Sequence, residues 1–426
     1  MIHSIYIDNF KGFRDALIPF GNVNFLVGDN STGKTTVINL VRLLDSISFW
    51  NDVDLLANSS EVIPFKELVN QYSDDKSFFS IGIDTDWDES KSRVFFLLSF
   101  KEDPETLLPQ LCSYKFTTGN NTVLVEKKAK ESYAYIKKYK NQIFSLWLKE
   151  NKGFKRNKEL QHYLDSEFRT PFIVTVNYIL NYLSGAGDIF TPEIMIPVST
   201  GNEWIAPVRA SAKKYYHSEE SLYKEDGSHI PHMIKSIFDQ EKTIRNNIMR
   251  IIRDFGKDSG LFDDIKIEKY GKKDYAPFSI NIIFNKIPIN LSRVGFGVNQ
   301  ILPLLLESLY YRGYLLSYQQ PELHLHPKAQ AAFGNVIYFS SIAMGNNYLI
   351  ETHSDYLINR YRYMMHLREN TDENSNHDVR ILFFERSESG LSVTPIIFEK
   401  DGKYPESMPE SYGKFFIDEE FNMLSV

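Results

Sequence analysis

Residues 28–35 read GDNSTGKT, which satisfies the spacing G-x-x-x-x-G-K-[ST]. The chemistry this pattern serves is phosphate binding. Gly28 and Gly33 permit a tight turn, so the amides from Asn30 to Thr35 can face one point. A helix starting behind the loop adds its positive N-terminal partial charge. Lys34 is placed to bridge the β- and γ-phosphates, and the Thr35 hydroxyl to bind Mg²⁺. The expected ligand is ATP with Mg²⁺, cradled by Gly28, Asp29, Asn30, Ser31, Thr32, Gly33, Lys34, Thr35 and Thr36.

A second group with possible chemistry is ELHLHP at 322–327. In an extended segment Glu322, His324 and His326 would share one side, as metal ligands can. No cysteine or further histidine cluster lies nearby in sequence to complete the set, so a metal site here is disfavoured.

These groups need elements to hold them. Residues 3–27 alternate between apolar and polar and read as short strands, the last at 23–27. KTTVINLVRLL, 34–44, has apolar residues at helical spacing. Strand, loop and helix therefore follow in the order the phosphate loop requires. Residues 78–84, 93–100, 112–117 and 122–126 read as an inserted antiparallel sheet, with a turn at TTGNNT. Residues 127–170 show helix-spaced apolar positions among lysines and tyrosines, and a helical insertion is expected. Its charges fit either a solvated face or a surface for nucleic acid or a partner. Tyr133, Tyr135, Tyr139 and Trp147 fit either base stacking or a core.

Further on, 203–209 reads as a strand and 232–255 as one long amphipathic helix. The glycine-bearing loop LSRVGFGVNQ precedes a helix at 301–311. A strand ends at Gln319, a helix follows Pro327, a strand ends at His353, and a hairpin turns at Ser389 and Gly390. The expected organisation is 1–126, 127–275 and 276–426. The expected fold class is α/β, with a β lobe and a helical insertion added to a phosphate-binding head.

Composition sets outer limits. The chain has 426 residues, 42% hydrophobic and 14% aromatic, enough for a large core and two or three compact units. No run of 18 or more apolar residues occurs, so no membrane span is expected, and the start lacks a signal-peptide layout. The single cysteine, Cys112, excludes an internal disulfide and fits a reducing cytoplasm. A net charge of −7 excludes a generally basic nucleic-acid coat and leaves only a local patch for such contact.

IDNFKGFRD with NFLVGDNSTGKTTVINLVRLL resembles the opening of ABC-type ATPases of the SMC, RecF and OLD group. SRVGFGVNQILPLLLESL, QQPELHLHPKAQ and LIETHSDYLINRYR are similar to three motifs of a prokaryotic branch of AAA-type ATPases used in phage defence. That branch includes the ATPase subunit of Septu systems. The resemblance covers roughly residues 1–60 and 285–426, and WIAPVRASAKKYY adds a segment between them.

The resemblance implies a P-loop ABC-type head working as a homodimer, with nucleotide sandwiched between one subunit's P-loop and the other's signature loop. Gly295, Gly297 and Asn299 match that signature loop. The family usually has serine where Asn299 stands, and Ser292 is a second candidate. His353 matches a switch histidine that reaches the γ-phosphate. SYQQPELHLHP matches the hydrolysis strand. The family pattern there is an acid, then an acid or glutamine, then Pro-Glu: the first acid holds Mg²⁺, the second is the general base in ABC-type enzymes, and the two positions are here Gln319 and Gln320. An amide carbonyl can accept from a metal-bound water but carries no charge and takes no proton. Losing a positioned base costs about 10²–10⁴-fold in rate. Glu322 is the nearest carboxylate, beyond Pro321. The same glutamines would also result from a substitution made to trap bound nucleotide.

The residues after His353 contain no D-x-D at a strand end and no nuclease constellation. The resemblance therefore implies a separate effector of the HNH type, gated by nucleotide state. DNA or RNA contact is expected, if anywhere, at the basic stretch 127–158. The competing readings are an SMC/RecF-like DNA-repair or clamp ATPase and a P-loop scaffold without nucleotide. The first should keep its acidic pair, and the second should not keep Lys34.

Overall fold

The computed structural model describes residues 2–53, 55, 63–86, 93–128, 131–139, 143–164, 171–184, 201–217, 223–273, 276–368, 377–387 and 390–416. The fold is α/β. The chain divides into two compact units: 1–20, 29–199 and 384–393 form the first, and 21–28, 200–383 and 394–426 the second. The expected boundaries do not follow this interleaving, and the one at 126 would cut through the strand Asn121–Lys128.

The first unit is built on an eight-stranded sheet. Its order is Ala16–Pro19, Ile2–Asp8, Phe78–Asp86, Arg93–Glu102, Pro109–Thr118, Asn121–Lys128, Glu131–Lys138 and Lys155–Arg156. All its pairings are antiparallel. Cross-strand aromatics hold it together: Phe79 stacks on Phe100 at 5.2 Å and Phe96 on Phe116 at 5.7 Å. Trp50, fully buried, packs edge-on against Phe96 at 5.2 Å. Its indole nitrogen donates to Leu44 O at 2.7 Å. This bond ties the end of helix Lys34–Leu44 to the sheet. The helix also buries Val37, Ile38, Leu40, Val41 and Leu44. The phosphate loop is thus anchored through its helix on a rigid aromatic layer.

The expected helical insertion at 127–170 is only partly helical. Residues 127–128 complete the strand Asn121–Lys128, and Glu131–Lys138 is a strand paired with it. ESYAYIKK is rich in tyrosine, and its small apolar Ala134 is the position buried. Strand preference and pairing outweigh the incidental helical spacing. Helices appear at Phe144–Leu148, Lys158–Leu164 and Phe172–Ser184. Trp147 belongs to the core: it is fully buried, lies 5.6 Å from Phe95, and donates to Thr122 Oγ1 at 3.0 Å.

A six-stranded sheet runs in the order Asn202–Ile205, Leu315–Gln319, Asn347–Glu351, Val23–Gly28, Val379–Ser387 and Gly390–Ile397; its first four strands belong to the second unit, and residues 384–393 of the last two are counted with the first. The first four run parallel. Every residue of VNFLVG is buried, as expected for a central parallel strand covered on both faces. The carboxyl ends of three neighbouring strands therefore carry Gln319, Glu351 and Gly28. Open parallel sheets bind ligands at that edge.

The helix expected at 232–255 is two helices, Ile230–Asp239 and Lys242–Ser259. The backbone is extended at Gln240 and Glu241, with ψ of 163° and 143°. A three-stranded sheet, Asp264–Lys269, Phe278–Phe284 and Ile287–Asn290, was not signalled by the sequence patterns above. Among the described residues no helix is long and apolar enough to cross a membrane.

Candidate functional site

The phosphate loop turns through left-handed backbone at Gly28 (φ 145°), Ser31 (62°) and Gly33 (93°). Gly33 has a second reason to be glycine. A Cβ there would lie 2.5 Å from Phe13 Cζ, and Phe13 is fully buried and cannot yield. Gly33 is also the N-cap of helix Lys34–Leu44, and no side chain caps that end. An anion can then act as the cap.

Lys34 is only 3% exposed, and its Nζ donates to Asp29 O at 2.7 Å. Thr32 Oγ1 donates to the same oxygen at 2.7 Å. Arg386 Nη2 donates to Ser31 O at 3.1 Å. The loop is thus braced from inside, with Asp29, Asn30, Ser31 and Thr35 exposed and Thr36 half-buried. The sequence-predicted residues from Asp29 to Thr36 stand together in one turn.

In the second unit the strands Leu315–Gln319 and Asn347–Glu351 end side by side, with Gln319 opposite Glu351. Both side chains are buried, and Gln319 Nε2 donates to Glu351 Oε2 at 3.2 Å. Gln320 then turns out of the strand in a left-handed conformation (φ 44°), its N–H bonded to Glu351 O at 2.8 Å. Such a conformation is strained for a residue with a Cβ and is retained where the surroundings fix it.

Glu322 is committed on both oxygens. Oε1 accepts from the His353 N–H at 2.6 Å and Oε2 from Thr352 Oγ1 at 2.8 Å. Burial raises its pKa above the usual carboxylate range, against the lowering effect of these bonds. The His353 ring is half-buried and stacks on Phe415 at 6.4 Å. Ser354 Oγ caps the next helix by accepting from Leu357 N at 3.1 Å, and donates to Gln330 Oε1 at 2.6 Å. Gln319, Gln320, Glu322 and His353 are therefore gathered at one sheet edge.

The glycine loop starts the helix Phe296–Tyr310, one turn earlier than expected. A Cβ on Gly297 would come within 3.0 Å of His324 O, so this glycine permits close approach of the two segments. Around Gly295 there is open space, and Phe296 is half exposed. Asn299 Oδ1 is buried with no hydrogen-bond partner among the described residues, while Ser292 bonds locally to Asn290.

Glu322, His324 and His326 do not converge. His324 meets the Phe296 ring edge-on at 4.7 Å, and His326 Nδ1 accepts from Lys328 N at the start of helix Pro327–Ala343. Among the described residues no group of three or more His, Cys, Asp or Glu could hold a metal. Thr35, exposed on the phosphate loop, offers a hydroxyl oxygen of the kind that Mg²⁺ takes alongside water and phosphate oxygens.

Two residues escaped the sequence reading as site residues. Arg209, buried, donates to Gln300 O at 3.2 Å and to Gln319 O at 3.4 Å. Burial lowers its pKa to about 10, opposed by Tyr318, Glu322 and Glu307, so it stays charged at neutral pH. Only its place inside WIAPVRASAKKYY hinted at a role. Glu351 precedes the THS string and was legible only as a strand residue.

The AAA ATPase domain family (AAA_15) matches residues 1–358. No curated protein matches the chain significantly. The chain is similar to the SMC head bound to the C-winged helix domain of ScpA, with TM-score 0.46 and 11% identity, covering 93% of this chain and 98% of that chain. It is also similar to the SMC head domain from Thermotoga maritima, with TM-score 0.43 and 10% identity over 93% and 98% of the two chains. RecF bound to ATP analogue as a recombination mediator gives TM-score 0.28 and 12% identity over 92% and 98%. The identification rests on the family match, which spans well over half of the 426 residues: the chain belongs to the AAA ATPase domain family.

Proposed function

We propose that this ATPase-domain protein is an ABC-type nucleotide switch that binds ATP with Mg²⁺ and hydrolyses it slowly or not at all. The observation that carries the reading is the sheet edge: Gln319 ends the strand, Gln320 follows it, and both oxygens of Glu322 are already accepting hydrogen bonds. Neither amide can take a proton from an attacking water. The binding role falls on residues 28–36, with Gly295, Gly297 and Asn299 approaching nucleotide from a second copy. Thr35 and Gln319 are the groups proposed to face the Mg²⁺. When bound, Mg²⁺ supplies charge neutralisation for the phosphates. Lys34 supplies a positive charge to the phosphates and His353 a donor that senses the γ-phosphate.

In this reading the protein is a cytoplasmic regulatory subunit of an anti-phage complex. Its nucleotide state gates a separate nuclease effector, with HNH chemistry suggested by the resemblance to Septu ATPases. Coupling must be reciprocal, so the effector changes nucleotide affinity as nucleotide changes effector binding. Lys138, Lys155 and Arg156 are exposed and remain candidates for nucleic-acid or partner contact. The test is copurification with the product of the adjacent reading frame, with nuclease assays with and without ATP. An ATP-dependent nuclease complex supports the proposal. A chain that binds no effector and loads on DNA alone supports a repair or clamp ATPase instead.

A further inference from the structure

Within the second unit lies an open cavity of about 510 Å³, a volume in the range that holds a small ligand. Of the residues proposed to meet nucleotide, only Asn299 borders it. Its apolar lining includes Ile280 of strand Phe278–Phe284 with Leu302 and Pro303 of helix Phe296–Tyr310. Its polar lining runs against the balance of the chain. The chain carries a net charge of −7, yet among the described residues no acidic side chain lines the cavity, while Lys213 and Lys224 both do.

Both lysines are exposed, but their backbones are fixed. Lys213 N donates to Tyr216 Oη at 2.9 Å, and Lys224 N to Nδ1 of the buried His229 at 3.2 Å. Lys224 also opens a turn, with Gly227 N donating to its carbonyl at 2.9 Å. Gly227 is left-handed at φ 72°, and a Cβ there would press on Pro303 at 3.0 Å. Tyr216 lines the same cavity and is 8% exposed. Its oxygen accepts from Lys213 N, and its own proton has no acceptor among the described residues. A buried hydroxyl in that state costs free energy until an acceptor arrives.

We propose that this cavity is a binding site for a small organic phosphate. The ammonium groups of Lys213 and Lys224 meet the phosphate, the Tyr216 hydroxyl donates to one of its oxygens, and the apolar wall takes the organic body. A phosphate monoester carries about −1.5 to −2 charges and three acceptor oxygens, which match two cations and a phenol. A carboxylate, with one charge and two oxygens, would leave part of that set unused. The site stands apart from the phosphate loop, since every lining residue lies between Ala210 and Pro303.

The test is isothermal titration of the full chain with phenyl phosphate, which joins one ring to one phosphate, beside inorganic phosphate and benzoate. Phenyl phosphate should bind saturably and about tenfold or more tighter than inorganic phosphate, because its ring leaves water for the apolar wall. Benzoate keeps the ring with less charge and should bind more weakly than phenyl phosphate. The double variant Lys213→Gln/Lys224→Gln alters only exposed side chains and should weaken phenyl phosphate by about tenfold, the worth of two exposed ion pairs. Tyr216→Phe should weaken it by about threefold or more, the worth of one hydrogen bond. Lys34→Ala should leave it unchanged. Absence of saturable binding would overturn the proposal, as would binding that the lysine double variant does not weaken. Binding lost in Lys34→Ala but kept in the lysine double variant would assign the phosphate to the loop at 28–36 and overturn it too. Benzoate binding as tightly as phenyl phosphate would overturn the choice of phosphate.

Discussion

The phosphate loop and the strand end at Gln319 belong to one expected catalytic apparatus, yet differ in how completely they keep it. The loop retains every element its chemistry needs: left-handed turns at Gly28 and Gly33, a helix start with no side-chain cap, and a buried Lys34 braced on Asp29. The strand end keeps its geometry but not its charge, with an amide at Gln319 where an acid is expected and another at Gln320 where an acid or glutamine is. The difference teaches that binding and hydrolysis are separable demands. Binding draws on backbone amides and one lysine, whereas turnover needs a base in a specific place.

The sharpest way to break the contrast is to return the base. Gln320→Glu should raise phosphate release by about 10²–10⁴-fold while ATP affinity changes little. A steady-state phosphate assay beside an equilibrium binding curve reads both. An unchanged rate would mean that more than the base is missing. The converse change on the loop, Lys34→Ala, should weaken ATP by about 10–100-fold, the worth of a charge-assisted bond to phosphate. Isothermal titration measures it, and an unaltered affinity would move the binding site elsewhere.

Gly33→Ala tests the loop's backbone. The left-handed φ of 93° and the contact with Phe13 should cost about 1–3 kcal/mol of stability, seen in denaturant unfolding. The smallest effect concerns Glu322. Because burial raises its folded pKa, the folded state binds a proton more readily than the unfolded chain. Stability from this group is therefore fully present below the ordinary carboxylate value and is lost as pH rises through the raised one. Glu322→Gln should flatten that slope in thermal melts taken across the acidic range. An identical slope in the variant would show that Glu322 titrates normally.

Much of this was legible in the sequence, for identifiable reasons. GDNSTGKT announces itself because glycines and lysine at fixed spacing meet a backbone demand, and the structure turns where the glycines stand. The strand ending at Gln319 was readable as a short apolar run, and the next was readable too, though expected to reach His353 where it stops at Glu351. The insertion at 127–170 was misread because its tyrosines and lysines satisfy helical and strand spacing alike, and pairing with Asn121–Lys128 decided the matter. Trp147 was left open between base stacking and the core, since its burial depends on Phe95 and Thr122 from distant strands. Glu351 was missed for a similar reason. Its meaning lies in its register with Gln319, a pairing between segments 32 residues apart in sequence.

The central claim is that the protein holds ATP without spending it. Its most direct test is a single preparation of wild-type chain in which ATP occupancy and phosphate release are measured together in Mg²⁺. The account predicts saturable ATP binding with turnover below about 0.1 s⁻¹, at least a hundredfold under the median enzyme rate of about 10 s⁻¹. Turnover near that median, with Gln319 and Gln320 in place, would contradict it.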